Sequence, residues 1–168
     1  MNAAVWFGAA IFFTFGIGAA PFSPEMKELL GPKNAPFFSG AIAQIFVARY
    51  FHLQAVCGAV AVLHLLAEWI YFGRTPQRLW ATLLIGLVAA GLLGGLWLQP
   101  KMKRLHAIKY DVKASRPERE AADNSFKAWH GASQGMNLLM LVGLTLYLWR
   151  VANPADPARF VSTSHFRG

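Results

Sequence analysis

Four long apolar runs are the feature that most constrains how this chain can fold. Residues 1–23 and 79–100 contain no charged side chain. Residues 128–149 contain no Asp, Glu, Lys or Arg and a single histidine. Residues 50–73 contain two histidines and one acid. Because a spanning helix needs about 20 apolar residues, each run is long enough to cross a bilayer. The sequence therefore predicts an all-α integral membrane protein built as a four-helix bundle.

Tryptophans near the ends of these runs favour the same fold. An amphipathic indole ring prefers the headgroup level of a bilayer. All six tryptophans lie near a predicted boundary: Trp6, Trp69, Trp80, Trp97, Trp129 and Trp149. The composition agrees, because 55% of the residues are hydrophobic and only 14% are charged, unlike an ordinary soluble domain. We expect one domain, with the bundle at 1–150 and a loosely ordered polar tail at 151–168.

Basic residues are concentrated between two of the apolar runs. The formal net charge is +8, and half of the sixteen Lys and Arg residues lie from Lys101 to Lys127. A basic loop beside a bilayer is typical of a topology signal and of contact with anionic lipid, so no nucleic-acid partner is predicted. The positive-inside rule then predicts cytoplasmic loops after the first and third spans, with both termini outside the cytoplasm.

Turn residues divide the chain between the runs. Ser23, which precedes a proline and an acid, predicts the start of a short helix that should end at Gly31. A second helix is predicted from near Pro36 to Gly73. Because this helix is longer than the hydrocarbon core, its first part, 37–48, should lie at the inner interface or protrude.

The remaining connections are a tight outer turn at 74–78 and a charged cytoplasmic helical hairpin at 100–127. Spans three and four also carry small residues four positions apart, a spacing that lets helix backbones approach closely. These residues are Gly91 and Gly95 in span three, and Gly131 and Gly135 in span four. The spacing predicts tight packing in the bundle and is not specific for a dimer.

A stripe of polar side chains opens the fourth run. At about 100° per residue its members fall within one arc of about 100°, and in lipid they should face the bundle interior. They are His130, Ser133, Gln134 and Asn137. The second helix offers a partial match in Arg49 and His52, with Gln44 as a weaker member, whereas Gln54 points to nearly the opposite face. Because helices two and four run in the same direction, these groups can meet at one depth.

This polar cluster has two interpretations. The first is interhelical hydrogen bonding that holds the bundle together. The second is a binding site near the inner interface, with Arg49 as an anion anchor and with His52 and His130 as ligands of haem b or a metal. His64 lies about 18 Å from His52 along the helix, so these two cannot serve one ligand, and Glu68 one turn later can pair with His64.

Other kinds of chemistry are missing from the sequence. It has no phosphate-cradling glycine loop, no His-x-x-x-His or cysteine pair for zinc, and no nucleophile with a convincing base. Cys57 is the only cysteine, so no intrachain disulfide can form. An enzyme acting on a lipid or another hydrophobic substrate is therefore the third interpretation, behind a non-enzymatic protein and a redox protein.

Several segments resemble one family of bacterial membrane proteins. They are Trp-Phe-Gly at 6–8, Ala-Pro-Phe at 20–22, Arg-Tyr-Phe-His-Leu at 49–53, and Phe-Lys-Ala-Trp-His-Gly-Ala-Ser at 126–133, followed by Asn137 and two leucines. Over most of residues 4–150 the chain is similar to the bacterial four-span proteins related to eukaryotic transmembrane protein 205. The resemblance implies the order span, short helix, span, span, charged hairpin, span in a bacterial inner membrane, and it implies no established biochemistry.

The leading prediction is a non-enzymatic multi-pass membrane protein. It would be a small accessory or transport-type protein, or a subunit of a larger membrane complex, with other membrane proteins or further copies of itself as partners. The alternative is a redox membrane protein that binds haem b or a metal through His52 and His130.

Overall fold

The computed structural model describes residues 1–73 and 77–153, whose regular secondary structure is entirely helical. Helix α1, Asn2–Ile11, continues as a π-helical turn, Phe12–Ile17, and a 3-10 turn, Ala20–Phe22, leads to α2, Pro24–Phe72. Helix α3, Arg78–Leu93, continues through a π-helical turn, Gly94–Leu98, into α4, Gln99–Tyr110, and α5 is Arg116–Ala152. Most of the predicted outer turn at 74–78 and of the predicted polar tail lies outside the described residues.

Three helical segments of the described chain are long and apolar enough to cross a membrane, where the sequence predicted four. They are Asn2–Tyr71, Arg78–Tyr110 and Arg116–Ala152. The counts differ because the first segment joins α1, the turns after it and α2 into one stretch of 70 residues. Within this stretch α1 runs back along α2. The Asn2 Nδ2 donates to the Cys57 carbonyl at 2.9 Å, and the Phe13 ring stacks on Tyr50 with centroids 4.1 Å apart.

Capping residues and one glycine define the start of α2. The Ser23 hydroxyl accepts a hydrogen bond from the Met26 amide at 3.2 Å, as expected at a helix N-terminus. Gly31 then interrupts the helix with a φ of 73°, a conformation that glycine adopts without steric cost. The predicted break at Gly31 is confirmed. The second part of the helix resumes directly at Pro32, four residues before the predicted start near Pro36.

Close packing of α2 against α3 depends on the glycines of the third run. A Cβ atom on Gly94 would overlap the Phe51 ring, and one on Gly95 would lie 3.1 Å from the Phe51 Cβ. A side chain at Gly94 would require the Phe51 ring to move, and one at Gly95 would require Phe51 to move by a few tenths of an ångström. In the fourth run, a Cβ on Gly131 or Gly135 would meet nothing within 4 Å, whereas one on Gly143 would lie 2.8 Å from the Leu87 Cδ2 of α3. The predicted pair Gly131 and Gly135 is therefore not used in close packing, and Gly143 is.

Helix α4 and the first part of α5 form a hairpin, and α4 packs on α2 around Pro36 and Phe37. The Tyr110 hydroxyl donates to the Pro36 carbonyl at 2.9 Å, which fixes the end of α4 on α2. The Lys109 ammonium lies 2.6 Å from the Asp123 carboxylate, an ion pair that joins α4 to α5. The helical hairpin predicted from the charged segment is therefore present, and it packs onto α2 near Pro36.

Candidate functional site

Asn137 connects three helical segments inside the bundle. Its Nδ2 donates to the Thr14 hydroxyl in the turn after α1 at 2.8 Å, and its Oδ1 accepts from the Tyr50 hydroxyl of α2 at 3.4 Å. The Thr14 hydroxyl donates in turn to the Ala10 carbonyl at 2.7 Å. A single amide on α5 thus bonds to α2 and to the continuation of α1.

A second polar contact lies one turn further along α2. The Trp6 indole N–H donates to the Gln54 side-chain oxygen. Both side chains are buried, with exposed fractions of 1% and 3%, and the Gln54 amide nitrogen has no partner among the described residues. We call Trp6, Thr14, Tyr50, Gln54 and Asn137 the inner polar core. It can hold helices together, because the Trp6–Gln54, Tyr50–Asn137 and Asn137–Thr14 hydrogen bonds connect different segments.

The two histidines proposed as ligands make their described hydrogen bonds within their own helices. The exposed His52 has its Nδ1 2.7 Å from the Ala48 carbonyl oxygen. The exposed His130 has its Nε2 3.1 Å from the Gln134 side-chain nitrogen, and the Ser133 hydroxyl donates to the His130 carbonyl at 2.8 Å. No described contact joins the two imidazole rings.

The inward face of α2 differs from the one that the sequence analysis favoured. Tyr50, Gln54, Cys57 and Ala61 are buried, at helical spacings of four and three residues. Arg49 is exposed and Gln44 is only partly buried. Gln54, which the sequence analysis placed on the opposite face, is thus the buried glutamine of this helix.

The structure buries Trp6, which the sequence analysis grouped with the tryptophans of the membrane boundary, between the helices. Its ring packs edge-to-face near Tyr147, with centroids 6.2 Å apart. The signal that could have located it is a spacing of four residues from Trp6 to Ala10 and on to Thr14. Ala10 is completely buried, and its small side chain lets α1 approach its neighbours closely.

No group of three or more His, Cys, Asp or Glu side chains in the described part of the chain is placed to hold a metal ion. The predicted pairing of His64 with Glu68 is confirmed, with the two side chains 3.5 Å apart on the exposed side of α2. The structure therefore brings together an uncharged set of buried and partly buried polar side chains between the helices, and it leaves His64 and Glu68 at the surface.

Comparison with known proteins gives one match. The family model of a domain of unknown function (DUF4149) matches residues 1–111, which contain every member of the inner polar core except Asn137. No curated protein and no solved structure matches the chain. The match shows no link to the proteins related to transmembrane protein 205, so that resemblance stays a prediction.

Proposed function

The chain belongs to the DUF4149 family, whose function is unknown, and we propose that it is a non-enzymatic membrane protein that crosses the bilayer four times. It would serve as a small accessory or transport-type protein, or as a subunit of a larger membrane complex. The observation that carries the proposal is the inner polar core, whose side chains bond between helices. Polar groups used in this way stabilise a bundle and are not free to act on a substrate.

The length of the first apolar segment supports two crossings within it. A single helix over Asn2–Tyr71 would be about 105 Å long, more than three times the hydrocarbon core of about 30 Å. The bond from Asn2 to the Cys57 carbonyl places the start of α1 beside the second half of α2. A crossing by α1 together with the turns after it, and a return crossing by α2, would account for this contact and give four spans in total.

Two pairs of basic and aromatic side chains support the position of the bilayer. The Lys101 ammonium lies 3.8 Å from the centroid of the Trp129 ring, and the Arg150 guanidinium carbon lies 5.8 Å from that of Trp80. Both kinds of side chain prefer the headgroup level. From Trp129 to Arg150 helix α5 rises about 31 Å, which agrees with the thickness of one hydrocarbon core.

Much of the outer surface of the helices between these pairs is apolar. Side chains that are at least 60% exposed occur on α2, α3 and α5: Val56, Leu63, Ile85, Leu93, Leu139 and Val142. An exposed apolar surface of this kind is unfavourable in water, whereas lipid tails or neighbouring membrane proteins would cover it. This surface is the one that a partner subunit or a further copy of the chain would contact within the bilayer.

The charge of the hairpin supports an orientation with both termini outside the cytoplasm. Positive loops stay in the cytoplasm, and the hairpin carries half of the lysines and arginines of the chain. Basic side chains at the same membrane depth as Trp97 and Trp129 would contact anionic headgroups of the cytoplasmic leaflet. In a bacterial cell, the membrane in question would be the inner membrane.

Reporter fusions test the four-span proposal. An N-terminal fusion and fusions at residues 75 and 168 should report a non-cytoplasmic position, and a fusion at residue 112 should report a cytoplasmic one. A cytoplasmic N-terminus with the other signals as expected would contradict the crossing by α1 and leave three spans. A cytoplasmic signal at 168 together with a non-cytoplasmic one at 112 would reverse the orientation. Signals from 75 and 112 on the same side of the membrane would contradict the crossing by α3.

The visible absorption spectrum of the purified protein tests the alternative function as a haem b protein. A Soret band that disappears in both His52→Ala and His130→Ala, and survives in His64→Ala, would replace the leading proposal by the redox one. A spectrum without a Soret band after expression with ample haem would count against haem binding.

A further inference from the structure

A groove of about 440 Å³ lies where the chain passes from the first apolar run into α2. Apolar side chains form most of its wall: Phe22 from the 3-10 turn, and Pro32, Ala35 and Pro36 from the part of α2 after the Gly31 break. The Gly31 break separates the lining residues on the first part of α2, Lys27 and Glu28, from those on the second part. Its volume falls in the range of about 300–1,000 Å³ that is typical of ligand sites.

Ser39 supplies a buried polar atom to the groove. Its side chain is 3% exposed and lines the groove, and its hydroxyl oxygen has no hydrogen-bond partner among the described residues. Buried hydroxyls are nearly always hydrogen-bonded in native proteins. A ligand in the groove that offers an acceptor, such as an ester carbonyl, would complete this bond.

Lys27 and Glu28 add opposite charges to the same groove. Both side chains are exposed and both line it, next to each other on the short first part of α2. A ligand of one charge would be attracted by one of these groups and repelled by the other. A zwitterionic headgroup is complementary to both, because its phosphate can approach Lys27 while its ammonium approaches Glu28.

The segment around the groove carries exposed apolar side chains as well as these charges. Phe22 is 46% exposed and Leu29 is 80% exposed. Exposed aromatic and aliphatic residues beside charged ones are typical of a segment that lies in the interface of a bilayer. With the membrane position proposed above, the groove would open among lipid headgroups.

We propose that this groove binds one zwitterionic phospholipid with a primary ammonium headgroup, the chemistry of phosphatidylethanolamine. The Lys27 ammonium binds the phosphate, the Glu28 carboxylate accepts hydrogen bonds from the lipid ammonium, and the Ser39 hydroxyl donates to an ester carbonyl. The upper part of an acyl chain packs on Phe22 and Pro32. This inference rests on the proposed membrane placement and adds a specific lipid site to it.

Native mass spectrometry of the full chain in detergent tests the lipid preference. The probes are phosphatidylethanolamine, phosphatidylcholine and phosphatidylglycerol with identical acyl chains. We expect one phosphatidylethanolamine per chain, bound about fivefold more tightly than phosphatidylcholine, whose methylated ammonium cannot donate hydrogen bonds to Glu28. Equal binding of these two lipids, or tightest binding of phosphatidylglycerol, would overturn the proposal.

Charge variants locate the site on the protein. Glu28→Ala should remove the preference for phosphatidylethanolamine, because it weakens this lipid more than phosphatidylcholine, whereas Lys27→Gln should weaken both lipids about threefold to tenfold. Lys33→Gln is the matched control, because it removes the same charge from an exposed residue that does not line the groove. If Lys33→Gln weakened binding as much as Lys27→Gln, the attraction would be diffuse and the site would be refuted.

Ser39→Ala removes the unpaired hydroxyl without adding volume. It should weaken both zwitterionic lipids about threefold and leave the helical circular dichroism and the melting temperature of the lipid-free protein at or above those of the wild type. Unchanged lipid affinity in this variant would remove Ser39 from the site. A chain that shows the expected topology with reporter fusions but no lipid preference would refute this inference alone.

Discussion

Replacing Asn137 with leucine should destabilise the bundle by about 1–2 kcal/mol. The amide makes two interhelical hydrogen bonds, at 2.8 Å to Thr14 and at 3.4 Å to Tyr50. Such bonds contribute about 0.5–2 kcal/mol each, and the longer one belongs at the weak end of that range. Thr14 keeps its bond to the Ala10 carbonyl in the variant, whereas the buried Tyr50 hydroxyl loses its acceptor on α5. We therefore expect less than the sum of two full hydrogen bonds.

Unfolding by SDS in mixed micelles, followed by circular dichroism, measures this free energy. Gln134→Leu is the matched control, because it makes a similar change on the same helix at an exposed residue. The described hydrogen bond of Gln134 is to His130 one turn away on α5. The control should change the free energy of unfolding by about 0.5 kcal/mol or less. Equal losses in the two variants would refute the role assigned to Asn137.

A double-mutant cycle separates the contact with Thr14 from other effects of Asn137→Leu. Thr14→Val keeps the shape of the side chain and removes the hydroxyl. If the 2.8 Å bond forms in the membrane-embedded protein, the two substitutions should be non-additive by about 0.5–1.5 kcal/mol. Strict additivity would mean that the bond contributes nothing.

Three glycine substitutions test how the helices pack against one another. Gly40→Ala would place a methyl group against the His106 ring, 2.8 Å from its Cδ2, and should loosen the hairpin by about 1–3 kcal/mol, measured as faster proteolysis of the segment after α4. Gly94→Ala would overlap the Phe51 ring and should lower the free energy of unfolding in SDS by a similar amount of about 1–3 kcal/mol. Gly131→Ala meets nothing within 4 Å and should be neutral or stabilising by up to about 1 kcal/mol. A Gly131→Ala variant as unstable as the other two would contradict this packing.

Much of the fold follows from local sequence signals. An apolar run of sufficient length predicts a helix in a bilayer wherever it lies, because backbone groups must bond internally there. The Gly31 break and the helical hairpin also come from local signals, since glycine followed by proline ends a helix and a capping serine starts one. Ser115 does so for α5, where it forms a capping box with Glu118.

The inward faces of the helices could not be predicted in the same way. In a soluble helix the polar face marks the outside, but most faces of a spanning helix are apolar, so polarity carries little information about orientation. The face of α2 that includes Tyr50, Gln54 and Cys57 is set by how well its side chains fit against α1 and α3. This fit depends on the volumes of the facing side chains. The Phe51 ring, for example, occupies the space that a Cβ atom on Gly94 would need.

The polar stripe of the fourth run shows how depth and helix face decide what a polar residue does. His130 follows Trp129 directly, near the proposed boundary of the bilayer. His130 and Gln134 are exposed there, and Ser133 bonds to the His130 carbonyl, so all three make hydrogen bonds within the same helix. Asn137 lies about 12 Å further along the helix than Trp129, within the hydrocarbon core of the proposed membrane placement, and it bonds to two other segments. A polar residue near the boundary has water, headgroups or its own helix as partners, whereas a deeper one is stable only when it reaches another helix. The polar stripe therefore has two parts: His130, Ser133 and Gln134 near the proposed boundary, and Asn137 in the contact between helices. Both the distance from the boundary and the helix face determine to which part a residue belongs.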